Sequence, residues 1–310
     1  MVQKKKTIYK ISVAVIVAIF VWGIWFFSSI SDLQKSSENT FRVVASFYPY
    51  AYFAQQVGGD YVKVTNITPV GSEPHDYELT PKDIIEMENS NLLILNGSLE
   101  AWGKNMKQNL SSKNTEVLEV GENIIDHYIV EDGKNVLDPH IWLSPQYAKK
   151  IVDKIFNAYI EIDPLHKGYY QENRDLLQQK LNNLDQNYIQ SLANCRQKDI
   201  ITSHAAFGYM VGTYGLTQVS IAGLSPEIEP SAQELSSIVE FAKRNKIEYI
   251  FFESLASNKL SNTLAQEVGA QTLVLNPLEG LTKDEINSGE DYFTIMKKNL
   301  DQLKIALQCQ

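Results

Sequence analysis

Cysteine and histidine are scarce in this chain of 310 residues, which contains two cysteines and five histidines. Two cysteines exclude a cysteine-rich zinc module and a small scaffold held together by many disulfides. Any transition-metal site must therefore combine a few histidines with carboxylates. Cys195 and Cys309 could pair in an exported protein, but the sequence alone leaves their proximity open.

Positive charge is also in short supply, since 28 Lys and Arg stand against 37 Asp and Glu, a formal net charge of -9. This balance repels phosphate backbones and argues against nucleic-acid binding. A hydrophobic content of 44% with 16 Gly and 10 Pro excludes a disordered chain, a collagen-like repeat and a polytopic membrane protein. The length suits about two domains, because a single core stops growing at roughly 250 residues.

The one long apolar run lies in residues 11–27, after four lysines and before any acidic residue. A basic segment followed by such a run is typical of a signal peptide or membrane anchor, and it predicts that the rest of the chain lies outside the cytoplasm. We assign residues 1–31 to this element and residues 32–40 to a polar linker. Small residues at 29–31 would allow cleavage, but the run is long enough to span a membrane, so we favour an uncleaved transmembrane anchor. Without residues 1–31 the body is more acidic, which suits the capture of cations.

Strand-like runs alternate with helical patterns over the rest of the chain, which predicts parallel sheets. We therefore predict an α/β fold with two lobes, residues 41–163 and 198–310, each built on a mainly parallel sheet flanked by helices. A long polar helix within residues 164–197 is expected to join them. Strands are predicted at residues 41–47, 61–67, 92–95, 199–203, 217–222, 249–252 and 271–275, and helices at 81–88, 144–162, 165–193, 231–245, 258–269 and 290–307.

Three of the five histidines stand in loops beside predicted strands or helices: His75, His140 and His204. Ligands of open α/β sheets gather beyond the carboxyl ends of strands. Three neutral imidazoles and a carboxylate form the kind of four-ligand set that zinc prefers, although the wide spacing alone does not favour one shared site. We interpret His127, in a polar loop, and His166, at the start of the long helix, as solvated, with transient cation capture left open for His127.

Seven motifs give the chain a resemblance to a known family. It resembles the metal-binding lipoproteins that serve as solute-binding proteins of zinc and manganese ABC transporters, from Phe41 to the C-terminus. The motifs are Phe47-Tyr-Pro-Tyr50, Val57-Gly-Gly-Asp60, Gly71-Ser-Glu-Pro-His-Asp-Tyr-Glu-Leu-Thr-Pro81, Asp138-Pro-His-Ile-Trp-Leu-Ser-Pro145, Ser203-His-Ala-Ala-Phe-Gly-Tyr209, Ser225-Pro-Glu-Ile-Glu-Pro230 and Phe251-Phe-Glu-Ser254.

The resemblance implies a metal site in the cleft between the lobes. His75 and His140 of the first lobe and His204 of the second are the implied ligands. The fourth ligand usually comes from the loop after the last strand, where Glu279 is the only carboxylate; Asn276 and a bound water remain alternatives. A third imidazole favours Zn²⁺ over Mn²⁺.

The resemblance also implies roles for residues around the metal, and the sequence departs from the family pattern in two places. Glu253 is expected to orient a ligating histidine, and Tyr48, Trp142 and Phe207 are expected to line the cleft. The histidine-rich loop of many zinc members is missing between Gly121 and Asp138, which leaves Mn²⁺ open. No cysteine precedes the second half of the chain, so the lipid-attachment motif is absent and the N-terminal helix must act as anchor or signal.

The implied function is that of an extracytoplasmic, high-affinity zinc-binding component of a metal-uptake ABC transporter. Such a protein would act as a monomer and deliver Zn²⁺, its transported ligand, to a membrane permease powered by a cytoplasmic ATPase, without being an enzyme. The alternatives are a manganese- or iron-binding member of the family, a surface adhesin with a structural metal, and a zinc hydrolase. A hydrolase is disfavoured because the chain has no His-Glu-x-x-His pair.

Overall fold

The structure is a computed structural model that describes residues 41–110, 115–131 and 133–310. The predicted leader and linker, residues 1–40, lie outside this range. Among the helices of the described ranges, none is both long enough and apolar enough to cross a membrane.

The first lobe is built on a four-stranded sheet in the order β2-β1-β3-β4. The pairs β1–β3 and β3–β4 are parallel. Strand β3 is buried along its whole length, as a central strand covered by helices on both faces should be. The strands are β1 (Phe41–Ala45), β2 (Val62–Asn66), β3 (Leu92–Leu95) and β4 (Glu116–Glu119).

An antiparallel hairpin follows the first sheet, formed by β5 (Tyr128–Glu131) and β6 (Lys134–Leu137). The sequence predicted a polar loop here, and that prediction was wrong. Each strand has only four residues, and Tyr128 and Val130 are exposed. The period-2 burial pattern that reveals a strand is therefore too short to read.

The second lobe repeats the design with a four-stranded sheet in the order β10-β9-β7-β8. All three strand pairs are parallel. Two α/β lobes with parallel sheets are therefore confirmed. The strands are β7 (Asp199–Thr202), β8 (Thr217–Ser220), β9 (Tyr249–Phe252) and β10 (Gln271–Val274).

Helices cover the sheets and connect their strands. They are α1 (Tyr48–Gly58), α2 (Pro81–Glu88), α3 (Gly103–Leu110), α4 (Pro145–Ile162), α5 (Lys167–Leu192), α6 (Gly208–Thr213), α7 (Ala232–Arg244), α8 (Lys259–Val268), α9 (Lys283–Asn287) and α10 (Tyr292–Ala306). Several begin at the residues that capping chemistry favours. Thr80, for example, caps α2 and forms a capping box with Asp83.

Helix α5 is a single element of 26 residues that lies in the chain between the two sheets. Its buried side chains recur every three or four positions, at Leu177, Leu181, Leu184 and Tyr188, so one face is apolar. It packs against α1 and α4 from the first half of the chain and against α10 from the second. The Tyr188 hydroxyl donates to the carbonyl oxygen of Met296 at 2.6 Å, which fixes that second contact.

The two cysteines, whose pairing the sequence left open, form a disulfide between Cys195 and Cys309. Cys195 follows α5 and precedes β7, whereas Cys309 follows α10 at the end of the chain. The bond therefore closes a segment with a sequence separation of 114 residues that includes the whole second sheet.

Candidate metal centre

The first donor, His75, lies in the loop between β2 and α2. The loop is tied to the second half of the chain, because the Gly71 amide donates to the Leu281 carbonyl oxygen at 3.1 Å. The His75 amide donates to Glu73 Oε1 at 3.3 Å. The side chain of His75 is only 9% exposed, so its ring is directed into the protein.

The second donor, His140, is held by the residues that precede it. Asp138 Oδ1 accepts from the His140 amide at 2.9 Å and lies 2.7 Å from Nδ1 of its ring. The carbonyl oxygen of Pro139 accepts from the Asn96 side chain at 2.9 Å. Both Asp138 and His140 are fully buried, so the carboxylate fixes the orientation of the ring.

The third donor, His204, follows β7 at the carboxyl edge of the second sheet. Glu253 Oε1, at the end of β9, lies 2.7 Å from His204 Nδ1. Gln218 Nε2 donates to the His204 carbonyl oxygen at 2.9 Å. His204 is fully buried and Glu253 nearly so.

The fourth donor, Glu279, lies in the loop after β10 and is buried. Asn276, the alternative ligand considered from sequence, uses its side chain to shape this loop. Its Oδ1 accepts from the Leu278 amide at 2.7 Å, and its Nδ2 donates to Glu285 Oε1 at 2.8 Å. Leu278 adopts a left-handed backbone conformation with φ of 57°, and this turn presents Glu279 to the three histidines.

The donor atoms of His75, His140, His204 and Glu279 all lie within 4.8 Å of one another. His140 Nε2 is 3.3 Å from His75 Nε2, 3.4 Å from His204 Nε2 and 3.2 Å from Glu279 Oε1. Glu279 Oε1 is 3.2 Å from His75 Nε2 and 3.3 Å from His204 Nε2. Five of the six donor–donor distances are therefore 3.2–3.4 Å, close to the edge of a tetrahedron whose centre lies about 2 Å from each corner, the length of a Zn–N or Zn–O bond.

The tautomers show that this cluster is suited to a cation. The Nδ1 atoms of His140 and His204 face carboxylates, which only accept hydrogen bonds, so each Nδ1 carries the proton. In the neutral rings, Nε2 therefore presents a lone pair to the other donors. Glu279 Oε2 is also buried and accepts no hydrogen bond among the described residues. Facing lone pairs repel, and a cation at their centre would satisfy them all.

Buried carboxylates set the protonation of the two buried imidazoles. Burial by itself lowers the pKa of His140, but hydrogen bonds with Asp138 and Glu279 outweigh it, and the pKa is raised. Burial acts the same way on His204, and the charges of Glu253 and Glu279 raise its pKa well above the ordinary value. Burial would raise the pKa of Glu279, yet the His204 charge and hydrogen bonds with the histidines hold it well below its usual range. The site thus favours positive charge beside Glu279.

The aromatic residues expected to line the cleft differ in position. The Trp142 ring centroid lies 5.2 Å from that of His140, and Trp142 Nε1 donates to the Pro277 carbonyl oxygen in the Glu279 loop at 2.8 Å. Tyr48 is half-buried beside Tyr52, 6.1 Å between ring centroids. Phe207 is buried where α6 begins, and its amide donates to Gln218 Oε1 at 3.1 Å. Trp142 thus lies beside a donor histidine and contacts the loop that bears Glu279.

The two remaining histidines lie outside the donor cluster. His166 Nδ1 lies 2.7 Å from Asp163 Oδ2, and its ring stacks on Tyr61. His127 Nδ1 lies 3.5 Å from Asp138 Oδ2, with 46% of its side chain exposed. Asp138 therefore lies between His127 and His140, and His127 is not part of a separate solvated loop.

Two carboxylates near the donors were given no role by the sequence. Asp138 orients His140. A metal-ligating histidine usually donates its other N–H to an acceptor, and a search for a carboxylate close to His140 in the sequence would have found Asp138. Glu73 has a buried oxygen, Oε2, that accepts no hydrogen bond within the described chain. Burial and the charge of Glu279 raise the pKa of Glu73 to about 9. Burial of this kind leaves no pattern in the sequence.

Residues 43–306 match a family model described as ZnuA: zinc-uptake complex component A, periplasmic. The zinc-binding lipoprotein AdcA of Streptococcus pneumoniae R6 is 38% identical over 283 residues, which cover 87% of this chain and 56% of that relative. The chain therefore spans about half the length of AdcA. The high-affinity zinc uptake system protein ZnuA of Bacillus subtilis 168 is 39% identical over 292 residues, covering 90% of this chain and 92% of that protein.

A solved structure has the same fold. The crystal structure of the Zn(II)-bound ZnuA-like domain of S. pneumoniae AdcA is 37% identical to this chain, with a TM-score of 0.76. The match covers 87% of this chain and 99% of that domain. The two chains therefore share both the fold and a substantial part of their sequence.

Proposed function

The chain belongs to the ZnuA family of zinc-uptake complex component A proteins, and from that membership we propose that it captures Zn²⁺ outside the cytoplasm for an ABC transporter. The observation that carries the proposal is the convergence of four donors, three of them buried and His75 nearly so, from His75, His140, His204 and Glu279. Three imidazoles and one carboxylate suit zinc better than manganese, which prefers oxygen ligands. Asp138 and Glu253 would keep the rings of His140 and His204 in the tautomer that presents Nε2 to the metal.

The number of protein ligands at this site suits a binding protein rather than a hydrolase. Catalytic zinc keeps a coordination position open for water or substrate, whereas a closed set of four protein ligands fills the tetrahedron. The ligands come from both lobes, so the bound ion would draw the lobes together. A membrane permease coupled to a cytoplasmic ATPase is the proposed recipient of the ion. Residues 1–31, as a signal or anchor, would place the protein at the outer face of the membrane.

Calorimetric titration of the purified, metal-free protein with zinc chloride tests the proposal. We expect one Zn²⁺ per chain, with an equal concentration of Mn²⁺ unable to displace it. Cells that lack the protein should also take up less zinc from a zinc-poor medium. Absence of zinc binding, or displacement by equimolar Mn²⁺, would contradict the proposed ligand, and unchanged uptake would contradict the transport role.

Zinc affinity is expected to rise with pH through the neutral range. The pKa values of His140 and His204 are raised in the metal-free protein, so below those values the site holds protons that must leave when Zn²⁺ binds. Proton competition should therefore already act above about pH 6.5, the ordinary imidazole value, and strengthen as pH falls. Dissociation constants measured against a competing chelator from about pH 5.5 to 8.5 check this, and a constant affinity across that range would refute it.

A further inference from the structure

Asp138 lies between two histidines of very different exposure. Its Oδ1 contacts Nδ1 of the buried His140 at 2.7 Å. Its Oδ2 is buried, accepts no hydrogen bond of good geometry in the described chain, and lies 3.5 Å from Nδ1 of His127. Because nearly half of the His127 side chain is exposed, the three residues form a path from solvent to the metal donors.

The backbone and the second lobe hold His127 in this position. The His127 amide donates to the Tyr209 hydroxyl at 3.0 Å, and its carbonyl oxygen accepts from the Asp138 amide at 3.0 Å. Gly208 packs directly on the pair, since a Cβ at that position would lie 2.8 Å from Asp138 Oδ2 and 3.1 Å from His127 Cε1. The contact between His127 and Asp138 is thus enclosed by the Gly208-Tyr209 segment.

The groups that face His127 are acidic. Asp138 approaches from the end of β6, Asp126 from the preceding residue, and the Tyr209 ring from α6, 5.6 Å between centroids. Glu131 of β5 and His127 line one groove of about 1000 Å³. Glu131 Oε1 accepts from the Leu224 amide at 3.0 Å. The nearby Asp138 carboxylate raises the pKa of His127, and partial burial opposes the rise only in part. His127 should therefore keep its proton to a higher pH than an ordinary imidazole does.

We propose that His127 is a positioning residue that couples zinc retention to pH through Asp138. A carboxylate that accepts the N–H of a ligating histidine makes that histidine a better donor. When His127 is protonated, its positive charge competes for the same carboxylate, so His140 becomes a weaker ligand. By linkage, zinc on His140 should make His127 harder to protonate. This inference depends on the zinc-binding function proposed above.

The test compares zinc affinity in the parent protein and in His127→Gln, which cannot gain a proton. At about pH 8 the two dissociation constants should agree within about twofold, and at about pH 6 the variant should bind zinc about fivefold more tightly than the parent. His166→Gln is the matched control. It removes another partly exposed histidine that is paired with an aspartate, Asp163, at 2.7 Å, and it should follow the parent at both values.

A ratio of affinities that is the same at both pH values would mean that His127 has only a structural role, and would overturn the proposal. Should His127→Gln not fold, the parent alone decides the matter. The proton resonances of the His127 ring, followed by NMR titration, should report a lower pKa with Zn²⁺ bound than without it, and an unchanged pKa would overturn the coupling. A parent that binds no zinc would instead refute the proposed function itself, so the two failures are distinguishable.

Discussion

Replacing His140 with alanine is expected to lower the affinity of the protein for Zn²⁺ by about a hundredfold or more. A four-ligand zinc site in a protein is worth roughly 10–16 kcal/mol, so one ligand supplies on the order of 3 kcal/mol, and each 1.4 kcal/mol is about tenfold in affinity. His140 Nε2 lies within 3.4 Å of the donor atoms of all three other residues, a position that it shares with Glu279 Oε1. Its removal also leaves the buried Asp138 without its main partner, which adds to the loss.

Competition titration against a chelator of known zinc affinity measures this change. Asp138→Asn, which keeps the imidazole but weakens its support, should lose less, about ten- to a hundredfold. His166→Ala is the control, because His166 pairs with Asp163 outside the donor cluster, and its affinity should stay within about twofold of the parent. If His140→Ala binds zinc as the parent does, or if His166→Ala loses as much, the assignment of His140 as a ligand is wrong. Circular dichroism of each metal-free variant separates loss of a ligand from loss of the fold.

The parts of the fold that the sequence predicted well are those with strong local signals. Strands Leu92–Leu95 and Tyr249–Phe252 have the predicted bounds because each is a short apolar run with high strand propensity. Helix α2 begins at a proline after a capping threonine, which marks its start without reference to the rest of the protein. Strand β4, Glu116–Glu119, was missed because only its two central residues are apolar. Helix α6, with six residues, is too short to show a helical period.

The site could be predicted from motifs but not from spacing. His75 and Glu279 are 204 residues apart, yet their donor atoms lie 3.2 Å from each other, and no helical or strand period brings such positions together. Loops from the two lobes do so, since His75 follows β2 of the first sheet and Glu279 follows β10 of the second. What the sequence left out is the set of contacts behind the donors. The bond between Asp138 and His140 is local, the approach of His127 to Asp138 depends on the β5–β6 hairpin, and the approach of Gly208 depends on how the two lobes pack.

Replacing both Cys195 and Cys309 with serine is expected to lower the free energy of unfolding of the metal-free protein by about 4 kcal/mol. The disulfide closes a sequence separation of 114 residues, and its main effect is to restrict the unfolded chain, which gains more freedom when so long a loop is opened. Urea unfolding of the parent and of the double variant, without reductant and without zinc, measures the difference. Zinc must be absent because a ligand of the folded state adds its own stabilisation.

The same replacement should leave zinc affinity within about twofold of the parent, because the disulfide and the metal donors lie at opposite ends of β7. Cys195 precedes the strand, whereas His204 follows it. Parent protein treated with a thiol reductant is the control for the serine side chains, and it should unfold at the same urea concentration as the double variant. If the double variant unfolds at the parent's urea concentration, the bond does not stabilise the second lobe. If it keeps its stability but loses zinc, the cysteines act on the metal site instead, and the separation of the two ends of the sheet into a stabilising end and a binding end is wrong.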